Sequence, residues 1–170
     1  MHPFARILLQ PRRTTPKEKA ASMEIDSFLA PERVVLGFAA TSKAALLAAL
    51  ARRIAPAAGV AAPVIAAALA AREQLGSTGL GRGFALPHAR IAGLPRLVGL
   101  FARLAAPLAF EAIDEAPVDL VFLLLTPAGT GGGHLAALAA ISRRLREEDV
   151  AAGLRAAAAV EEAYRLLAGA

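Results

Sequence analysis

The chain has 170 residues, enough for one well-buried core. Hydrophobic residues make up 56% of it, much of that alanine, and the mean hydropathy of +0.52 does not imply membrane insertion; the least polar stretch, residues 60–71, carries Pro63 and falls short of the roughly 20 residues that span a bilayer. Cysteine is absent, which excludes disulfides and thiolate metal sites and fits a cytoplasmic location, and +4 of the formal charge of +5 sits in residues 1–22, so the basic balance is no argument for a nucleic-acid-binding face.

Residues 1–22 contain Pro3, Pro11 and Pro16 and no helical period. They read as a disordered extension, or as an over-long start with Met23 as the initiator. Their apolar part, residues 7–9, is too short for a secretory core. A basic nucleic-acid arm is the alternative. The domain is expected over residues 23–170.

From residue 24 the pattern alternates between strand and helix. Residues 33–36 form a short β-branched run that suits an edge strand. Thr41 can cap a helix to about residue 54, with Leu46, Leu47, Leu50 and Ile54 on one face. A second helix begins near Pro63 and runs to about Gln74, with Ile65 and Leu69 inward and Gly76 ending it. Residues 76–83 read as a glycine-rich loop, 84–88 as a short strand and 97–104 as another. The unbroken apolar run 120–125, closed by Thr126-Pro127, suits a central strand covered on both faces. Residues 128–133 form a flexible loop. A helix starts near His134, with Leu138, Ile141 and Leu145 inward. Two short helices follow, one over 148–154 and one carrying Val160, Ala163, Tyr164 and Leu167 on one face. The fold class is α/β, a sheet between helices, with no internal repeat.

His2 lies in the extension, so His88 and His134 are the nucleophile candidates. Neutral imidazole is a good nucleophile near pH 7. A lone histidine after a strand is ordinarily structural, but the approach to His88 is unusual. Gly76, Gly79, Gly81 and Gly83 let backbone amides approach an anion, Ser77 and Thr78 add hydroxyls, and Arg72, Arg82 and Arg90 add cations. That is what a phosphoryl site without a metal or other cofactor requires. The lysine of a P-loop is missing, so nucleotide binding is not implied. Taken alone, the glycine run is explained equally well by tight turns.

The ordered series Arg72-Glu73, Gly76-Ser77-Thr78-Gly79-Leu80-Gly81, Gly83 and Ala85-Leu86-Pro87-His88 resembles the active-site signature of the bacterial phosphotransferase-system enzyme IIA proteins of the fructose/mannitol type. The resemblance continues through residues 110–114, Pro117-Val118-Asp119, Pro127 and His134-Leu135. It spans about residues 23–167. The free-standing form and the run 110–119 are most like the nitrogen-regulatory members.

The resemblance implies a mixed β-sheet flanked by helices. It implies that His88 accepts phosphate from a phosphocarrier protein (HPr or its nitrogen-branch relative NPr), with Arg72 and His134 stabilising the phosphoryl group and Ser77, Thr78, Gly79 and Gly81 binding phosphate. In sugar-transport members the phosphate passes to a IIB domain. In nitrogen-regulatory members the phosphorylation state controls partners such as potassium transporters and sensor kinases. Ala89 stands where glycine is frequent, Ala136 where some members carry a histidine, and the loop 128–133 is unusually rich in glycine.

Several residues keep plainer readings beside these. Ser77 and Thr78 serve equally as turn residues. Glu73 reads as surface, Arg82 and Arg90 as solvated charges facing a partner, and Asp114 and Asp119 as turn and strand-boundary residues. No His, Asp or Glu spacing matches a metal site. A regulatory phosphocarrier leads. A sugar-specific IIA protein and a non-catalytic binding module are the alternatives.

Overall fold

The computed structural model describes residues 23–129, 131 and 133–169. The expectation for residues 1–22 lies outside the described residues, as do positions 130 and 132 of the glycine-rich loop. The strands are β1 (Val34–Phe38), β2 (Gly79–Gly81), β3 (Phe84–Ala85), β4 (His88–Ile91), β5 (Val98–Leu108) and β6 (Val118–Pro127). The helices among the described residues are α1 (Lys43–Ala58), α2 (Ala62–Gln74), α3 (Gly133–Arg146), α4 (Glu148–Ala156) and α5 (Val160–Ala168), with two single 3-10 turns before β1. No helix among the described residues is long and apolar enough to cross a membrane.

The sheet is built around β6. On one side β6 pairs antiparallel with β5, and β1 pairs parallel with β5 as an edge strand. On the other side it carries two short strands end to end. β3 lies parallel against Leu120 and Val121, and β4 lies parallel against residues 124–127. β2 completes the edge beside β3.

Side chains alternate along a strand, and β6 uses both faces. Val121, Leu123 and Leu125 enter a core under α1 and α2, with Leu50, Ile54, Ile65 and Leu69. Leu120, Phe122 and Leu124 enter a second core under α3, α4 and α5, with Ile141, Leu145, Leu154 and Leu167. All six of these β6 side chains are fully buried. Burial of each contributes about 1.5–3 kcal/mol, which is why an unbroken apolar run becomes the middle strand. Phe28 meets Phe122 edge-on at 6.1 Å between ring centres. Gly99 makes room for that contact, since a Cβ there would lie 2.9 Å from the Phe122 ring.

The sheet sandwiched between helices is therefore as expected, with differences at the element ends. Ser42 rather than Thr41 caps α1; its hydroxyl accepts from the Ala45 N–H at 3.1 Å. α1 runs past residue 54 and through Pro56 until Gly59, at φ 66, terminates it. The strand expected over 84–88 is broken between Ala85 and His88. Across this break the Pro87 carbonyl accepts from the Leu124 N–H at 3.0 Å, so the chain keeps its register on β6. The loop 76–83 contains β2, because Leu86 N–H donates to the Thr78 carbonyl and folds the segment into a hairpin.

Candidate functional site

β4 starts at His88, opposite Leu124 of β6. Alternation sends Ala89 and Ile91 into the core under α1 and α2 and leaves His88 and Arg90 on the other face. The His88 ring is half-buried at the sheet edge. Its Nδ1 lies 2.8 Å from the Leu86 carbonyl oxygen. A carbonyl only accepts, so Nδ1 carries the proton and Nε2 bears the lone pair. Arg72, in the last turn of α2, donates from Nε to that Nε2 at 3.3 Å and from Nη1 to the Gly76 carbonyl at 2.9 Å.

His134 comes from the first turn of α3. Its ring centre is 5.6 Å from that of His88, with the planes at 57°. Its Nδ1 lies 2.8 Å from Oγ1 of Thr126, a hydroxyl buried at the end of β6. Arg72, His88, Arg90 and His134 line one cleft of about 440 Å³, walled by Ala68, Ala71 and Leu75.

Both histidines are held below the ordinary imidazole value of 6.5. For His88 the first cause is burial; the Arg72 charge acts the same way, while the Leu86 carbonyl and Glu73 oppose it. For His134 the causes are burial, then Arg90, then His88. Burial and the neighbouring positive charges penalise the imidazolium form. The cleft therefore presents a neutral nucleophilic nitrogen among donors and cations, an arrangement suited to receiving an anionic electrophile. Among the described residues no three His, Asp or Glu side chains converge to hold a metal ion.

Of the residues singled out in the sequence, His88, Arg72 and His134 come together. Ser77, Thr78, Gly79 and Gly81 do not line this cleft. The Ser77 hydroxyl donates to the Phe110 carbonyl at 2.8 Å and accepts from the Gly79 N–H at 3.1 Å. The Thr78 hydroxyl is buried on Glu73. A Cβ on Gly79 would lie 2.9 Å from the Ala112 Cα, and Gly81 holds φ at +91 beside Asp114. Close packing against the segment 110–114 accounts for those two glycines.

Arg82 does not line the cleft, and its amide donates to Asp114 while its carbonyl accepts from Arg155, whereas Arg90 lines the cleft. The surface reading of Glu73 is overturned. Its side chain is 8% exposed and bonded to Lys43 and to Thr78. Thr126 and the Leu86 carbonyl carried no local signal, since both are assigned by contacts that only the folded sheet creates.

Residues 27–170 match the family described as phosphoenolpyruvate-dependent sugar phosphotransferase system, EIIA 2. A nitrogen regulatory protein of Bradyrhizobium diazoefficiens is 43% identical over 146 residues, covering 86% of this chain and 95% of that protein. The crystal structure of the nitrogen regulatory protein IIA-Ntr from Neisseria meningitidis superposes with a TM-score of 0.81 at 33% identity, covering 84% of this chain and 98% of that one. Mannitol IIA from Escherichia coli, at 22% identity and a TM-score of 0.68 over 82% of this chain and 99% of its own, shares the fold.

Proposed function

Because the chain belongs to the EIIA 2 family of the phosphotransferase system and is most like its nitrogen regulatory members, we propose that His88 accepts a phosphoryl group from a phosphocarrier protein of the HPr or NPr kind and that the resulting state regulates partner proteins. The observation that carries this reading is the 2.8 Å approach of His88 Nδ1 to the Leu86 carbonyl oxygen, which fixes the ring's tautomer. The Leu86 carbonyl holds the Nδ1 proton, which leaves Nε2 as the nucleophile, and Nε2 faces the cleft with Arg72 upon it.

In the step itself the Nε2 lone pair forms the new N–P bond as the bond between phosphorus and the donor's imidazole nitrogen breaks. That electron pair leaves with the donor ring. The Nδ1–H stays on the Leu86 carbonyl, which supports the positive charge developing on the His88 ring. Arg72 exchanges its bond to Nε2 for a bond to a phosphoryl oxygen. In the tautomer where Nδ1 of His134 accepts from the Thr126 hydroxyl, 2.8 Å away, the Nε2–H of His134 is free to donate to a second oxygen. Such transfer is largely positioning plus charge stabilisation, and these residues supply both. The phosphohistidine then controls binding to regulated proteins, with potassium transporters and sensor kinases as the candidates, in the cytoplasm.

The test is incubation with phosphoenolpyruvate, enzyme I and phosphocarrier, followed by intact mass. One added phosphoryl group is expected on the wild type and none on His88→Ala, which keeps its fold. Phosphorylation of His88→Ala at the wild-type rate would remove His88 as acceptor. Adding a IIB domain to the phosphorylated protein tests the sugar-pathway alternative; rapid loss of the phosphoryl group to IIB would favour it.

A further inference from the structure

Glu73 has no part in the step just described, yet among the described residues it is the most buried of the ion-paired carboxylates, at 8% exposure against 24% for Asp119 and 53% for Glu147. A carboxylate so placed persists only when its oxygens are satisfied. Oε1 accepts from the Thr78 N–H at 2.7 Å and from the Thr78 hydroxyl, and Oε2 takes Lys43 Nζ at 3.2 Å. Lys43 is itself fixed. Its Nζ donates to the Phe110 carbonyl at 3.2 Å and stands 4.6 Å from the centre of the Phe110 ring.

The bonds beyond Glu73 lead to His88 by two routes. The Thr78 carbonyl accepts from the Leu86 N–H at 2.9 Å, and the Leu86 carbonyl accepts from Nδ1 of His88 at 2.8 Å. Arg72, adjacent to Glu73 on α2, bonds the Gly76 carbonyl and Nε2 of His88. Both ring nitrogens of His88 are thus held by groups anchored on the turn 76–78, and Glu73 ties that turn to α1 and α2.

We propose that Glu73 is a positioning residue for phosphoryl acceptance: its buried carboxylate clamps the turn at Thr78 and so aligns the Leu86 carbonyl that fixes the proton on Nδ1 of His88. The proposal rests on the reading of His88 as acceptor. Glu73 itself touches neither the ring nor the incoming group. Its action passes through Thr78, which makes the two residues one unit.

The experiment compares wild type, Glu73→Gln, Thr78→Val, Thr78→Ser and the Gln/Val double variant. Transfer is measured from pre-phosphorylated phosphocarrier, and the His88 ring is observed by ¹⁵N spectroscopy. Glu73→Gln and Thr78→Val are each expected to slow transfer about tenfold or more, the scale of a lost hydrogen bond to a charged group, with KM for the phosphocarrier unchanged. The double variant should be no slower than the slower single variant. Thr78→Ser should restore the rate, and the ring signals of the slow variants should move from the Nδ1–H tautomer toward a mixture.

A folded Glu73→Gln with wild-type rate and ring signals would overturn the proposal, and so would effects that multiply in the double variant. If Glu73→Gln does not fold, Thr78→Val against Thr78→Ser decides, and equal rates count against it. If the wild type takes up no phosphoryl group, the acceptor reading fails. The ring spectra then still judge Glu73: an unshifted tautomer in the variants refutes the clamp by itself.

Discussion

The two ends of β6 treat charge in opposite ways. At its start, Asp119 takes Arg155 in a two-point pair at 2.8 and 2.9 Å, and the Asp114 carboxylate accepts the Arg82 and Ala116 amides. Arg155 bridges on to the Arg82 carbonyl, and its bond to Asp119 raises its pKa above the ordinary arginine value. At the other end, past Thr126, Arg72 and Arg90 share a cleft with two histidines, and no carboxylate among the described residues forms an ion pair with either arginine. Glu73 is close in sequence but is turned to Lys43 and Thr78. One end has its charges matched internally, which is what a structural joint needs. The other leaves Arg72 and Arg90 without a carboxylate partner among the described residues, which suits the anionic group that the proposed function would bring there.

Three substitutions sharpen or break this contrast. Arg72→Ala should have the largest effect, slowing phosphoryl acceptance about a hundredfold, near the upper end for a charge-assisted bond of about 1.5–3 kcal/mol, while the melting temperature barely changes. A loss of transfer that merely tracks unfolding in thermal melts would place Arg72 with the structural residues instead. His134→Ala should still accept phosphate on His88 but exchange it about tenfold more slowly. Stopped-flow transfer curves that overlay those of the wild type would take His134 out of the site. Asp119→Asn, at the matched end, should leave transfer untouched and cost about 1 kcal/mol, a fall of roughly 2–4 °C in melting temperature. A change in transfer rate there would mean that the two ends are coupled.

The helices and the middle strand were legible because their signals are local. The period of Leu46, Leu50 and Ile54 announces α1, and an apolar run without alternation announces β6. Arg72, His88 and His134 stood out through the ordered motif and the scarcity of histidine. Glu73 did not, because helical spacing says only that it neighbours Arg72. Its burial comes from a turn folding back and from Lys43 thirty residues earlier. The glycines of the motif were ambiguous for a related reason. A glycine that admits an anion and a glycine that admits the Ala112 backbone look alike in sequence, and only the position of the segment 110–114 separates them. The break between β3 and β4 was likewise invisible, since it is set by register on β6.

The cleft draws Arg72 from a helix packed on one core and His134 from a helix packed on the other, with His88 at the sheet edge between them. A chain with only one core assembled has either the arginine or the second histidine out of place, however native-like its finished half. With His88 as the proposed acceptor, competence to carry phosphate would be a test of complete assembly. On the proposed reading of His88, a newly made or damaged molecule would stay chemically silent until both layers are seated.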